Sequence, residues 1–218
     1  MKSFLIIGMG KFGQTISEMM MQFGDEVMIV DKNEDIVNEL SHKYSNAMIA
    51  NCTNIDNLQS LHIASFDACV VAIGDDFQSS LEITSLLKEL GAKYVVSKAT
   101  TEIQKKFLLK NGADEVIYPD LDIAEKIAIK LNSEKIYDYI ELDPNFSIFE
   151  LSVPKEWQNK SLLEIDSRKK YGMNILMIKQ NQQDVILPNA NYILHKDDHM
   201  VIFGNAKEIL NFVNKKYK

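Results

Sequence analysis

Three glycines, Gly8, Gly10 and Gly13, stand between a short apolar run and an amphipathic helical pattern. No other feature constrains the chain as tightly. Ser3-Phe4-Leu5-Ile6-Ile7 is a strand signal, and Phe12, Ile16, Met19, Met20 and Phe23 recur at helical spacing. A G-x-G-x-x-G run is a weak signal alone, but between a strand and a helix it has a mechanism. Gly8 permits the tight turn, Gly10 lets the backbone approach a diphosphate, and Gly13 lets the helix pack against the sheet. The helix N-terminus then offers free N–H groups and about half a positive charge to an anion. Asp31 closes the next strand signal, Glu26-Val27-Met28-Ile29-Val30-Asp31. A carboxylate there accepts the ribose hydroxyls of an adenosine and repels a 2′-phosphate, which disfavours NADP.

Four more strand signals follow at Ala47–Ala50, Ala68–Ile73, Tyr94–Val96 and Glu115–Tyr118. Helical patterns lie between them, at about Asn33–Lys43, around Leu58 and Leu61, at Asp76–Leu90 and at Glu102–Lys110. Alternation of this kind predicts an α/β fold, a doubly wound parallel sheet. Near residue 137 the pattern changes. Strand signals at Ile148–Val153, Ile175–Ile178, Asp184–Leu187 and Met200–Phe203 are accompanied by only two helical patterns, Ser161–Lys170 and Ala206–Lys216. We expect two domains, 1–137 and 138–218, the second a small α+β unit that dimerises or packs on the first. A helix near 121–136 joins them.

The formal net charge of −7 disfavours general nucleic-acid binding, which needs a dense basic patch. Cys52 and Cys69 fit no metal spacing and are expected as buried free thiols. No run is long enough for a membrane span, and a cytoplasmic location is expected. Lys11, in the first helical turn, opposes the helix dipole unless an anion sits beside it. Lys98 follows the fifth strand at the sheet edge where ligands gather. Asn51-Cys52-Thr53 follows the third strand and suits an adenine pocket. Asp75 and Asp76 read as helix N-caps. Of the four histidines, His42, His62, His195 and His199, none makes a recognisable pair with a carboxylate, and surface placement is expected for each. No nucleophile elbow, Walker motif or zinc spacing is present. The first domain therefore reads as a nucleotide reader without chemistry.

The segments Ile6–Gly13, Val30-Asp31, Ile49–Thr53, Val71–Gly74, Leu87–Leu90 and Asn111–Pro119 resemble the RCK domain of potassium-uptake regulators, the cytosolic TrkA/KtrA-type subunits. Lys160–Asp166 and Asn174–Leu176 resemble the companion C-terminal RCK subdomain. The resemblance implies a Rossmann-like nucleotide domain that binds ATP/ADP or NAD(H) through Gly8, Gly10, Lys11, Phe12, Gly13, Asp31, Lys32, Asn51, Cys52, Thr53, Ile73, Gly74 and Lys98. It also implies homodimers assembled into an octameric ring, docked as a peripheral regulator under a membrane-embedded potassium channel or transporter subunit. Lys11 stands where the family carries a phosphate-reading arginine. Asp120 stands where some members hold a divalent cation or sodium between paired nucleotides with a glutamate.

In some members the second domain binds cyclic di-AMP. Leu163, Ile165, Arg168, Asn174, Ile175 and Pro188 resemble that type. Two other functions fit less of the pattern. One is the regulation of potassium efflux. The other is a small NAD-dependent oxidoreductase, which lacks a visible acid/base.

Overall fold

A computed structural model describes residues 1–180 and 184–217. The chain divides into two compact units, Met1–Leu121 and Asp122–Lys218. In the first, β1 (Ser3–Ile7), α1 (Lys11–Gln22), β2 (Glu26–Asp31), α2 (Glu34–Leu40), β3 (Asn46–Ile49), α3 (Ile55–Ser60), β4 (Ala68–Val71), α4 (Phe77–Glu89), β5 (Val95–Lys98), α5 (Glu102–Lys110) and β6 (Glu115–Ile117) alternate as expected. All pairs are parallel, in the order β3-β2-β1-β4-β5-β6. The order reverses between β1 and β4, so the crevice for a ligand opens at the carboxyl end of β1.

The sheet is buried on both faces because its strands are apolar at successive positions. Leu5, Ile7, Val30 and Val71 pack under α4 residues Ile83 and Leu87. Their neighbours Ile6, Ile29 and Val70 join Phe12, Ile16 and Met20 of α1 on the other face. Cys52 and Cys69 are buried free thiols.

The Gly112-Ala113-Asp114 segment is a fastening. Gly112 has φ +106°, and a side chain there would begin 2.9 Å from Lys88 Cγ. Asp114 accepts the Val95 amide at 2.7 Å and pairs with Lys88 Nζ at 3.0 Å, which ties β5 to α4. Partial burial opposes ionisation, yet the Val95 amide and the Lys88 ammonium hold the Asp114 carboxyl below the ordinary aspartate range. Asp114→Ala removes both partners and should cost about 1–3 kcal/mol in urea unfolding. Because the folded value is depressed, this stabilisation is complete above the ordinary aspartate range. It is lost as pH falls through the folded value. An Asp114→Asn chain should accordingly show a flatter acid limb of stability.

In the second unit, β7 (Ile136–Glu141), β8 (Phe146–Ser152), β9 (Asn174–Gln180), β10 (Asp184–Ile186) and β11 (His199–Asn205) form an antiparallel sheet, ordered β10-β9-β11-β8-β7. Its core lies on one face, where Phe149, Leu151, Met200 and Ile202 meet Trp157 and the Ile209, Phe212 and Val213 stripe of α9 (Ala206–Lys216). Before these elements runs α6 (Pro119–Asn132), which has no buried residue. Ile129 of α6 packs against this core, and Lys126 pairs with Asp138 at 3.0 Å. The compact division therefore falls earlier in the chain than residue 137.

Two local expectations are corrected. Strand β7 lacked a visible signal because a bulge between Ile136 and Asp138 breaks its alternation. The single helix expected over Ser161–Lys170 is two short ones, Leu162–Ile165 and Ser167–Tyr171 (α7 and α8). They are separated by Asp166 at φ +47°, a left-handed conformation that Asp tolerates better than most residues.

Candidate functional site

The glycine turn is built by close approach. Gly8 has φ +95°, and its amide donates to the Val30 carbonyl at 2.8 Å. A Cβ on Gly13 would lie 2.0 Å from the Gly8 carbonyl oxygen, so no larger residue fits beneath the turn. Gly10 is the N-cap of α1 and supplies no side-chain cap, and the first turn holds no acid. By contrast, α2 to α5 are capped by Asn33, Asn54, Asp76 and Thr101. The amides opening α1 thus lack the anchoring side chain that their counterparts have, as an anion site requires.

Beside this turn lies a cavity of about 270 Å³. It is lined by Gly8, Gly10, Asp31, Lys32, Asn51, Cys52, Ile73 and Gly74, all expected from the sequence. Asp31 is held in place by two amides, Met9 at 2.6 Å and Asn33 at 2.8 Å, one on each carboxylate oxygen. Each oxygen keeps a further lone pair for a hydroxyl. Ile36, Ile83, Asp75, Asp76 and Ser79 also line it, with Ile7, Ala50 and Ala72 at the strand ends. The inward stripes of α2 and α4 could have revealed the two isoleucines. Asp76 caps α4 as expected, accepting the Ser79 amide at 3.1 Å, and also faces Lys32 at 3.8 Å across the cavity mouth. Hydrogen bonds from the Ser79 hydroxyl and amide, with Lys32 nearby, hold the Asp76 carboxyl below its ordinary range.

Lys11, Phe12, Gly13, Thr53 and Lys98 do not line the cavity. Gly13 acts beneath it, and Thr53 bonds to Asn51 at its edge. Lys11 is exposed. Lys98 is half-buried, with Nζ 5.8 Å from the centre of the Phe12 ring and 3.3 Å from where a side chain on Gly74 would begin. No carboxylate pairs with it among the described residues. Lys11 thus lies within the glycine turn but exposed, whereas Lys98 approaches the turn half-buried from β5. Burial, reinforced by Asp31, pushes the Cys52 thiol up to about 12, so it stays protonated and is no nucleophile.

The chain matches the TrkA-N domain over residues 4–119 and the TrkA-C domain over 147–216. It belongs to the TrkA-N/TrkA-C family. It is 36% identical to the Ktr system potassium uptake protein C of Bacillus subtilis over 211 residues, 97% of this chain and 96% of that protein. The Ktr system potassium uptake protein A of the same organism is 38% identical over 214 residues, 98% of this chain and 96% of that protein. Among solved structures, the GsuK RCK domain superposes with a TM-score of 0.68 at 16% identity, covering 100% of this chain and 48% of that one. It establishes the shared fold.

The second-unit residues singled out in the sequence differ in exposure. Leu163 is exposed, and its amide donates to the Ala190 carbonyl at 2.8 Å. Arg168 is exposed on α8, while Asn174 and Ile175 open β9 half-buried. Pro188 is half-buried. Ile165 lies inside the core, 4% exposed, so its side chain packs the unit and offers no surface to a ligand. Asp120 is exposed in the first turn of α6. Among the described residues no three His, Cys, Asp or Glu side chains gather around a metal position.

The histidine reading is corrected. His199 Nδ1 lies 2.9 Å from Glu150 Oε1, and His195 Nδ1 lies 3.4 Å from Asp198 Oδ2. His199 is not a surface group, since its side chain is 16% exposed. Pairing across strands 49 positions apart left no local signal for the first pair.

Proposed function

We propose that this chain is the nucleotide-sensing regulatory subunit of a Ktr/Trk-type potassium uptake system. It works at the cytoplasmic face of the membrane beneath a membrane-embedded channel or transporter subunit. The observation that carries the reading is one cavity in which a pre-oriented Asp31 and an uncapped helix N-terminus face the same space. Asp31 would take the ribose diol of ATP, ADP or NAD(H), Gly8 and Gly10 the first phosphates, and Lys98 a terminal phosphate. The near full-length likeness to two Ktr uptake proteins supports the transport role. No helix among the described residues is long and apolar enough to cross a membrane, in keeping with a separate membrane partner.

The chain works by binding. Its ligands shift the balance between two shapes of a homo-oligomeric ring, built of dimers and octameric, by their difference in affinity for each shape. A single carboxylate at Asp120 cannot hold a cation alone. A divalent cation or sodium there would need nucleotide phosphates or a second copy as further ligands. Cyclic di-AMP is the proposed ligand of the second unit, with Arg168 and Asn174 as its polar contacts.

The test is a thermal-shift and calorimetry screen of the full chain against ATP, ADP, NAD, NADH and cyclic di-AMP. Binding without turnover supports the reading. No response to any adenine nucleotide, or hydride transfer to a carbonyl panel, overturns it. Lys98→Ala should lower ATP affinity about tenfold more than ADP affinity, since one charge-assisted contact is worth about 1.5–3 kcal/mol. Lys11→Ala should change the ratio less than Lys98→Ala. Arg168→Ala should remove only the cyclic di-AMP response.

A further inference from the structure

The second unit holds a charged cluster that nucleotide binding does not use. On the sheet face opposite the core, Glu150 of β8 is shared by two bases. Lys179 Nζ of β9 donates to its Oε2 at 2.5 Å, and His199 Nδ1 of β11 lies 2.9 Å from its Oε1. The Glu150 side chain is 13% exposed and that of His199 16%. Tyr137 of β7 stacks on the His199 ring, with centroids 3.9 Å apart and planes 16° apart. Four strands therefore meet at one carboxylate and one imidazole.

We propose that Glu150, His199 and Lys179 form a proton-operated clasp on this sheet. Histidine is the side chain whose ordinary charge change falls between about pH 5 and pH 8. With the ring protonated, Glu150 lies between two cations and the His199 contact is an ion pair stacked on Tyr137. With the ring neutral, the same contact is a hydrogen bond. The charged groups around the ring are few. Glu150 touches it from β8, Lys179 is its register partner on β9 with Nζ on Glu150, and Ser152 is its uncharged register partner on β8. The Tyr217 phenol donates to the Ser152 carbonyl. Asp198 precedes it in the chain but is taken up by Tyr192 and the His195 amide. Asp138, next to Tyr137, is neutralised by Lys126 and Lys130 of α6.

The consequence reaches beyond the sheet. Tyr137 and Asp138 are adjacent in β7, one stacked on the clasp and the other paired to α6. Closing the clasp steadies β7, and β7 anchors the helix that joins the two family-matched segments. The proton count at His199 therefore sets how firmly α6 is held to its own sheet.

Hydrogen exchange of the full chain, read by mass spectrometry on β8 and β11 peptides from pH 5.5 to 8 and corrected for intrinsic rates, tests this. Wild-type protection should fall about fivefold as pH rises through the histidine range, as weakening an ion pair to a neutral hydrogen bond implies. His199→Gln, which keeps an uncharged donor, should make protection independent of pH, and so should Glu150→Gln. His195→Gln should keep the wild-type step. A flat wild-type profile, a step surviving in His199→Gln, or a step abolished by His195→Gln overturns the clasp. Should His199→Gln not fold, Glu150→Gln decides in the same way: a surviving step overturns the proposal and a lost step upholds it.

Discussion

Gly13→Ala should cost about 3 kcal/mol of stability and abolish nucleotide binding, measured by urea unfolding and by calorimetry with ATP and NAD. The added Cβ meets the Gly8 carbonyl oxygen at 2.0 Å, a backbone atom that cannot rotate aside. Relief requires α1 to lift from β1 or the turn to open. Lifting α1 unpacks Phe12, Ile16 and Met20 from the buried face of the sheet. Opening the turn misaligns the Met9 amide that holds Asp31. Both routes damage the site and the fold together. Gly10→Ala is the control, because no atom lies within 4 Å of its added Cβ. It should fold with a loss under about 1 kcal/mol, and any drop in affinity then reports the phosphate contact itself. Equal stability of the Gly13→Ala and Gly10→Ala chains would remove close packing as the reason for the third glycine.

The first unit of the chain was legible because its signals are local. Strand, glycine turn, helix and the acid ending the next strand follow one another within Ser3–Asp31, and each has its own steric or electrostatic reason. Strand signals such as Ala68–Ile73, alternating with helical patterns, announced a doubly wound parallel sheet. Illegible were the contacts that depend on which distant elements meet. Lys98 and Phe12 come together only because β5 and the start of α1 share one sheet edge. Glu150 and His199 meet through antiparallel pairing, which no local period encodes. Ile165 reads as an exposed ligand contact or a core residue equally well until α7 is seen to end at Asp166. The bulge in β7 hid a whole strand.

Asp31→Ala should weaken every adenosine ligand together, on the order of ten- to a hundredfold, because the ribose is common to ATP, ADP and NAD and a charged acceptor is worth about 1.5–3 kcal/mol per bond. This differs from Lys98→Ala, which should change the ATP to ADP ratio. Asp31 also accepts the Met9 and Asn33 amides, so the substitution loosens the turn as well as removing the proposed ribose contact. A change in the ligand separates the two effects without touching the protein. Wild-type chain should bind 2′-deoxy-ATP about tenfold more weakly than ATP, since one hydroxyl no longer meets the carboxylate. In Asp31→Ala that preference should vanish, whatever has happened to overall affinity. If wild type binds ATP and 2′-deoxy-ATP alike, Asp31 is a brace for the glycine turn and not a reader of the ribose. The nucleotide reading would then rest on the uncapped helix terminus and Lys98 alone, which recognise phosphate and carry no preference for adenosine.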